Sequence, residues 1–143
     1  GTLLIKRAIL NKLEYCFDPA YFAYFEEHDL CWRVRLLGYS VMYVSTSVVY
    51  HKYKATASKF GNLLDFYHYR NKILTYRKNL RFPLNLFSLS FIFFTTFLTM
   101  IFRSFTGKWK YGIYVMKFFF TKIKKNPELG SISLKRQMEV FNV

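Results

Sequence analysis

Four polar side chains that could do chemistry stand together early in the chain. Glu26, Glu27, His28 and Asp29 include three of the eight acidic residues of a 143-residue protein whose formal net charge is +14. A carboxylate at the start of a helix stays ionised near neutral pH, because the helix dipole favours the negative form. An ionised carboxylate can serve as general base toward a hydroxyl within hydrogen-bond reach. We therefore take Glu27 as the candidate base and leave His28 unassigned.

A structural role for the same acids is the competing interpretation. Acidic residues at a helix N-terminus interact favourably with the dipole and with free backbone N–H groups. Asp29 and Arg33 stand at positions i and i+4, the spacing of a routine surface ion pair. On spacing alone, the capping role is favoured over catalysis.

The acids must be positioned by a helix predicted over residues 26–37. Its apolar stripe is formed by Leu30, Val34 and Leu37, and Gly38 follows where a glycine commonly ends a helix. Further helices are predicted over residues 6–13 and 59–80. β-rich runs predict strands at residues 2–5, 39–44 and 48–51, so this half of the chain is predicted to be mixed α/β.

The composition changes near residue 81. Residues 82–126 contain no acid, and residues 82–102 carry no charge at all. A helix of that uncharged length would measure about 31 Å, enough to cross a bilayer core, although its Ser, Thr and Asn side chains weaken this prediction. We divide the chain into a mixed α/β part (1–81), hydrophobic and basic membrane-associated helices (82–126) and a polar tail (127–143).

Short motifs follow one another in a specific order along residues 1–80. They are Phe17-Asp18, Phe22-Ala23-Tyr24, Glu26-Glu27-His28-Asp29-Leu30-Cys31-Trp32-Arg33, Gly38-Tyr39, Tyr43-Val44, Val49-Tyr50-His51 and Arg70-Asn71. In this order they resemble the C-terminal half of the catalytic domain of family 2 glycosyltransferases, especially rhamnosyltransferase-like members.

The resemblance implies a fold, and it implies which part of the enzyme binds the nucleotide and which part carries the base. The expected fold is the C-terminal portion of an α/β, Rossmann-like GT-A domain, followed by hydrophobic and amphipathic helices. Such enzymes bind the nucleotide in an N-terminal half and use an Asp-x-Asp motif, which this sequence lacks. We expect the chain to carry the acceptor side and the base, and to be inactive alone.

The resemblance also assigns roles to the acidic cluster. Glu27 occupies the position of the catalytic base, where the family usually has Asp, so the base here is one methylene longer. Glu26, Asp29 and Arg33 are expected to support the base and its helix rather than to react.

Two more residues receive roles from the resemblance. Trp32 could reach an acceptor sugar, although a place in the core is the alternative. His51 lies at a spacing from Glu27 that suits a metal ligand in some members, and imidazole is a common ligand. The implied cofactor is Mg²⁺ or Mn²⁺, held mostly by the Asp-x-Asp motif.

The function expected from the resemblance is inverting transfer of a sugar from a nucleotide-diphosphate sugar to a hydroxyl. The acceptor would be a glycan or a lipid-linked molecule in cell-surface polysaccharide synthesis, at the cytoplasmic face of the cell membrane. A single span at residues 82–102 would put a basic tail outside, against the positive-inside bias. We therefore expect contact with an anionic membrane surface and no nucleic acid. The alternative is a basic, aromatic-rich module that binds membranes or RNA without catalysis.

Overall fold

The computed structural model describes residues 2–50, 62–105 and 109–123. The regular structure of these residues is entirely helical. It consists of α1 (Arg7–Leu10), α2 (Glu26–Leu36), α3 (Asn62–Asn79), α4 (Leu84–Ser104) and α5 (Trp109–Phe118).

The predicted α/β, Rossmann-like sheet is wrong for this part of the chain. Residues 2–5, 39–44 and 48–50 form no strand, and His51 lies outside the described residues. β-rich composition predicts a strand because such side chains suit a pleated, half-buried surface. Here successive side chains face solvent instead of alternating, with Met42 81% and Tyr43 90% exposed. Without a buried face or a paired neighbour, the composition alone does not produce a strand.

Helix α2 begins and ends close to where the sequence predicts. Gly38 follows the helix with a φ of 90°, a left-handed conformation that glycine adopts without steric cost. Its N–H donates to the carbonyl of Arg35, and the N–H of Tyr39 donates to the carbonyl of Val34. This pair of hydrogen bonds is the Schellman motif, which satisfies the last carbonyls of a helix.

Two apolar clusters hold the helices together. The first joins α1 to α2 through Ile9, Leu13, Leu30 and Val34, which confirms the predicted inward positions of Leu30 and Val34. The second joins α3, α4 and α5, and its buried members are Ile73, Ile92 and Val115. Helices α2 and α3 also pack on each other, so α3 connects the two clusters.

The uncharged run at residues 82–102 forms most of α4. Among the helices that the structure describes, none combines the length and the apolar character that crossing a bilayer requires.

Candidate functional site

A turn with an unfavourable backbone leads into α2. Tyr24 has a φ of 67° and Phe25 a φ of 71°, so two successive non-glycine residues are left-handed. Each such residue costs about 1–3 kcal/mol and persists only where the surrounding structure holds it. The turn places Glu26 and Glu27 in the first helical turn directly after it.

Side chains from α3 hold this turn. The amide of Asn71, which is fully buried, donates to the carbonyls of Ala23 at 2.7 Å and Tyr24 at 2.9 Å. Arg70 donates through Nη1 to the carbonyl of Ala20 at 2.7 Å and to Oδ1 of Asn71 at 2.8 Å. The Arg70-Asn71 motif therefore fixes the backbone just ahead of the candidate base.

Asp29 and Arg33 lie beneath the turn in a buried network. Arg33 Nε donates to Asp29 Oδ2 at 2.8 Å, and both side chains are 0% exposed, so the prediction of a surface ion pair is wrong. Lys78 Nζ lies 3.1 Å from Asp29 Oδ1, and Asn79 Nδ2 donates to the same oxygen at 2.9 Å. The carboxylate of Asp29 thus binds two cations and an amide, which anchors α2 on α3.

The network continues into the loop before α2. Arg33 donates to the carbonyls of Tyr15 and Cys16, both at 2.6 Å, and its guanidinium stacks over the Tyr15 ring at 4.5 Å. Lys78 also donates to Asp18 Oδ2 at 2.6 Å. These contacts tie the Phe17-Asp18 turn to the same helix pair.

The Asp18–Lys78 pair shifts the titration of both groups. Burial opposes ionisation of Asp18, but the hydrogen bonds from Lys78 and the Ala20 N–H outweigh it, so its pKa lies below the ordinary value. Burial likewise opposes the charge on Lys78, yet its hydrogen bonds to Asp18 and Tyr15 and the charge of Asp29 raise its pKa. Both groups are therefore charged across the neutral range.

The two glutamates of the acidic cluster differ in surroundings. The side chain of Glu27 is 52% exposed, and its Oε1 lies 3.6 Å from Nδ1 of His28. Glu26 is half-buried, and its Oε2 is buried without a hydrogen-bond donor among the described residues. The N-cap residue is Phe25, which makes no side-chain cap hydrogen bond. Any stabilisation of α2 by these acids comes from their charge near the helix N-terminus.

Aromatic rings contact the strained turn, and one of them belongs to His68, a residue that the sequence does not single out. The imidazole of His68 on α3 meets the ring of Phe25 at 5.3 Å and that of Tyr24 at 5.8 Å. Partial burial and the charge of Lys72 lower the pKa of His68, although the residue is partly exposed. Nothing in the sequence marks His68, because the turn residues that it contacts, Tyr24 and Phe25, are more than forty residues away along the chain.

Trp32 is half-buried and packs edge-on against Tyr76 of α3, with ring centroids 5.3 Å apart. Its predicted contact with an acceptor sugar stays a prediction. Glu26, Glu27, Asp29 and Arg33 all lie on α2, but Asp29 and Arg33 are buried whereas Glu27 is exposed.

The predicted metal ligand His51 lies outside the described residues. Within the described ranges, no three His, Cys, Asp or Glu side chains form a group that could hold a metal ion. The expected Mg²⁺ or Mn²⁺ therefore stays a prediction, and no chemical step below is derived through a metal.

Comparisons of the chain with family models, curated proteins and solved structures find no match. The proposal that follows therefore depends on the geometry of the acidic cluster and on the motifs of the sequence.

Proposed function

We propose that this chain supplies the general base and the acceptor side of an inverting glycosyl transfer, with Glu27 as the base. The observation that carries the proposal is the placement of its carboxylate. Glu27 is open to solvent, while the turn before it is strained and held by Asn71, and the helix below it is fixed by the Asp29–Arg33 pair. Strained backbone held in this way is concentrated at functional sites.

The chemistry assigned to Glu27 is a proton transfer coupled to substitution. The acceptor hydroxyl gives its proton to the carboxylate as its oxygen forms a bond to the anomeric carbon of the donor. The bond from that carbon to the diphosphate breaks on the opposite face, and the diphosphate leaves with the electron pair. The longer Glu side chain suits a base that starts in the first turn of α2 and reaches outward to the acceptor.

Glu26 is proposed to support the base and its helix. A buried carboxylate oxygen without a donor is costly, by about 1–3 kcal/mol or more for a charged group. Oε2 of Glu26 is such an oxygen among the described residues. Glu26 lies in the first turn of α2, where the helix dipole favours its negative charge, so its carboxylate would support the helix that carries Glu27.

We also propose that the protein binds an anionic membrane surface at the cytoplasmic face of the membrane, where nucleotide sugars are available. Large apolar side chains recur along one face of α4 at helical spacing. The most exposed members of this stripe are Phe87 (71%), Phe91 (66%), Phe94 (58%) and Phe102 (73%). A helix with an apolar face of this kind lies in the interface between headgroups and acyl chains. The high positive charge of the chain favours anionic lipids, and a lipid-linked acceptor would be presented at the same surface.

Substitution of Glu27 tests the proposed chemistry in the complete enzyme, where the nucleotide-binding half expected from the resemblance is present. We expect Glu27→Gln to lower kcat by about 10²–10⁴-fold, because general-base assistance has that typical size. Binding of the nucleotide-sugar donor, measured by titration calorimetry, should be unchanged. Transfer at the wild-type rate by Glu27→Gln would remove Glu27 from this role.

A further inference from the structure

A cavity separate from Glu27 lies between α3, the end of α5 and the loop at residues 15–20. Its volume is about 370 Å³. The polar side chains that line it include Asp18, Arg70, Lys78, Thr121 and Lys122, and its apolar wall includes Leu74 and Phe118.

The charges around this cavity do not cancel. Asp18 and Asp29 are matched by Lys78 and Arg33, which bind them at 2.6–3.2 Å. Arg70 and Lys122 remain as additional cations on the cavity wall. The cavity therefore offers two unit charges to a negative ligand.

The donors of these two cations are available. Both hydrogen bonds that Arg70 makes to described residues use Nη1, which leaves Nε and Nη2 for a ligand. Its guanidinium stacks on the Phe118 ring at 4.9 Å, which limits its motion. Lys122 is exposed and makes no hydrogen bond to another described residue. A planar guanidinium and a mobile ammonium together suit the oxygens of a phosphate.

We propose that this cavity binds a phosphate or diphosphate group carried on an apolar chain. A phosphate monoester carries about −1.5 to −2 charges at pH 7, which matches Arg70 and Lys122. Leu74 and Phe118 offer an apolar surface for the ester side of the ligand. Phe120, two residues beyond Phe118, is 82% exposed and adds apolar surface after the end of α5. The assignment of the phosphate to a lipid-linked acceptor rests on the proposed function; the phosphate site itself does not.

The test uses Lys122, because an exposed side chain can be replaced without loss of folding. Binding of inorganic pyrophosphate to the intact protein is measured by titration calorimetry. We expect Lys122→Gln to weaken binding by about tenfold, the effect of one lost charge-assisted hydrogen bond, and Lys122→Arg to retain it. Lys117→Gln is the matched control, since Lys117 is also exposed but lies outside the cavity lining. Equal affinity in Lys122→Gln and Lys117→Gln would overturn the phosphate site.

A second arm distinguishes a lipid from a free phosphate. The protein is mixed with phosphatidylcholine vesicles that either contain or lack a polyprenyl phosphate, and bound protein is measured by flotation. Stronger binding to the phosphate-bearing vesicles, lost in Lys122→Gln and competed by pyrophosphate, would support the lipid-linked ligand. Equal flotation with both vesicles would overturn that ligand, even where pyrophosphate still binds through Lys122. Failure of the Glu27→Gln test would refute the glycosyl transfer without affecting either result.

Discussion

The amide of Asn71 links two distant parts of the chain. It is buried on α3 and donates to two carbonyls of the turn that precedes the acidic cluster. Those donors compensate for a backbone in which Tyr24 and Phe25 are both left-handed. The position of Glu27 is therefore set by a residue that follows it by more than forty positions.

The carboxylate of Asp29 carries the largest predicted stability effect of any single residue here. Asp29→Ala would leave Arg33 and Lys78 buried without their shared counter-charge. Removal of one partner from a buried ion pair costs about 3–5 kcal/mol, so we expect the free energy of unfolding, measured by urea denaturation, to fall by that amount. Glu27→Gln is the control, because exposed substitutions of this kind change stability by about 0.5 kcal/mol or less. A loss in Asp29→Ala no larger than the control would contradict the buried network.

The sequence predicts part of this site and misses the rest for a clear reason. The i, i+4 spacing predicts that Asp29 and Arg33 pair, and they do. Spacing within one helix does not reveal burial, which here depends on Lys78 and Asn79 of α3. The Arg70-Asn71 motif is visible in the sequence, but its contact with residues 20–24 follows only from the packing of α2 on α3.

At the scale of elements, local signals predict α2 and α3, extend α1 beyond its observed end at Leu10, and fail for the strands. The residues that predict α2 lie within or directly after it: acids in its first turn, an apolar stripe, and Gly38 after its last turn. The structure confirms a helix at these residues. The prediction of a helix over residues 59–80 matches α3 from Asn62 onward, and residues 59–61 lie outside the described part. A strand depends on a neighbour, so residues 39–44 could not be assigned from their own composition.

The exposed stripe of α4 predicts how the protein binds a bilayer. Phe87→Ser combined with Phe91→Ser should weaken binding to anionic vesicles by about tenfold or more, because each fully buried Phe contributes about 1.5–3 kcal/mol. Thermal stability should change little, since both rings are exposed. The matched control is Val49→Ser with Tyr50→Ser, which removes exposed apolar side chains from outside α4. Unchanged flotation of the Phe variant, or binding of RNA in place of vesicles, would contradict the proposed membrane surface.

At the scale of the whole molecule, the polar network and the second apolar cluster share α3. Ile73 lies in one core with Ile92 and Val115, so side chains from both sides of residue 81 pack together. Residues 82–126 contain no acid, but this change in composition does not show which helices share a core. The α/β fold class is wrong for the residues that the structure describes, because β-rich runs and a resemblance do not show that strands pair.

The Asp18–Lys78 pair predicts how stability depends on pH. The pKa of Asp18 is lowered from 3.8, so its contribution is present above that value and is lost as pH falls through the lower pKa of the folded state. The pKa of Lys78 is raised from 10.5, so its contribution is complete below that value and is lost as pH rises through the higher folded pKa.

Urea denaturation across the pH range checks this window. We expect a plateau in the free energy of unfolding between these limits and a decline on both sides. The acidic decline should be smaller in Asp18→Asn, which removes that titration. An identical acidic decline in Asp18→Asn would contradict the assigned role of the pair.

The measurement that tests the central claim most directly is the single-turnover rate of sugar transfer at saturating donor, by the complete enzyme that includes the expected nucleotide-binding half. Wild type, Glu27→Asp and Glu27→Gln are compared. The account predicts that Glu27→Asp retains a large part of the rate, because it keeps a carboxylate, and that Glu27→Gln falls by about 10²–10⁴-fold. Equal rates for Glu27→Asp and Glu27→Gln would show that transfer does not depend on a base at this position.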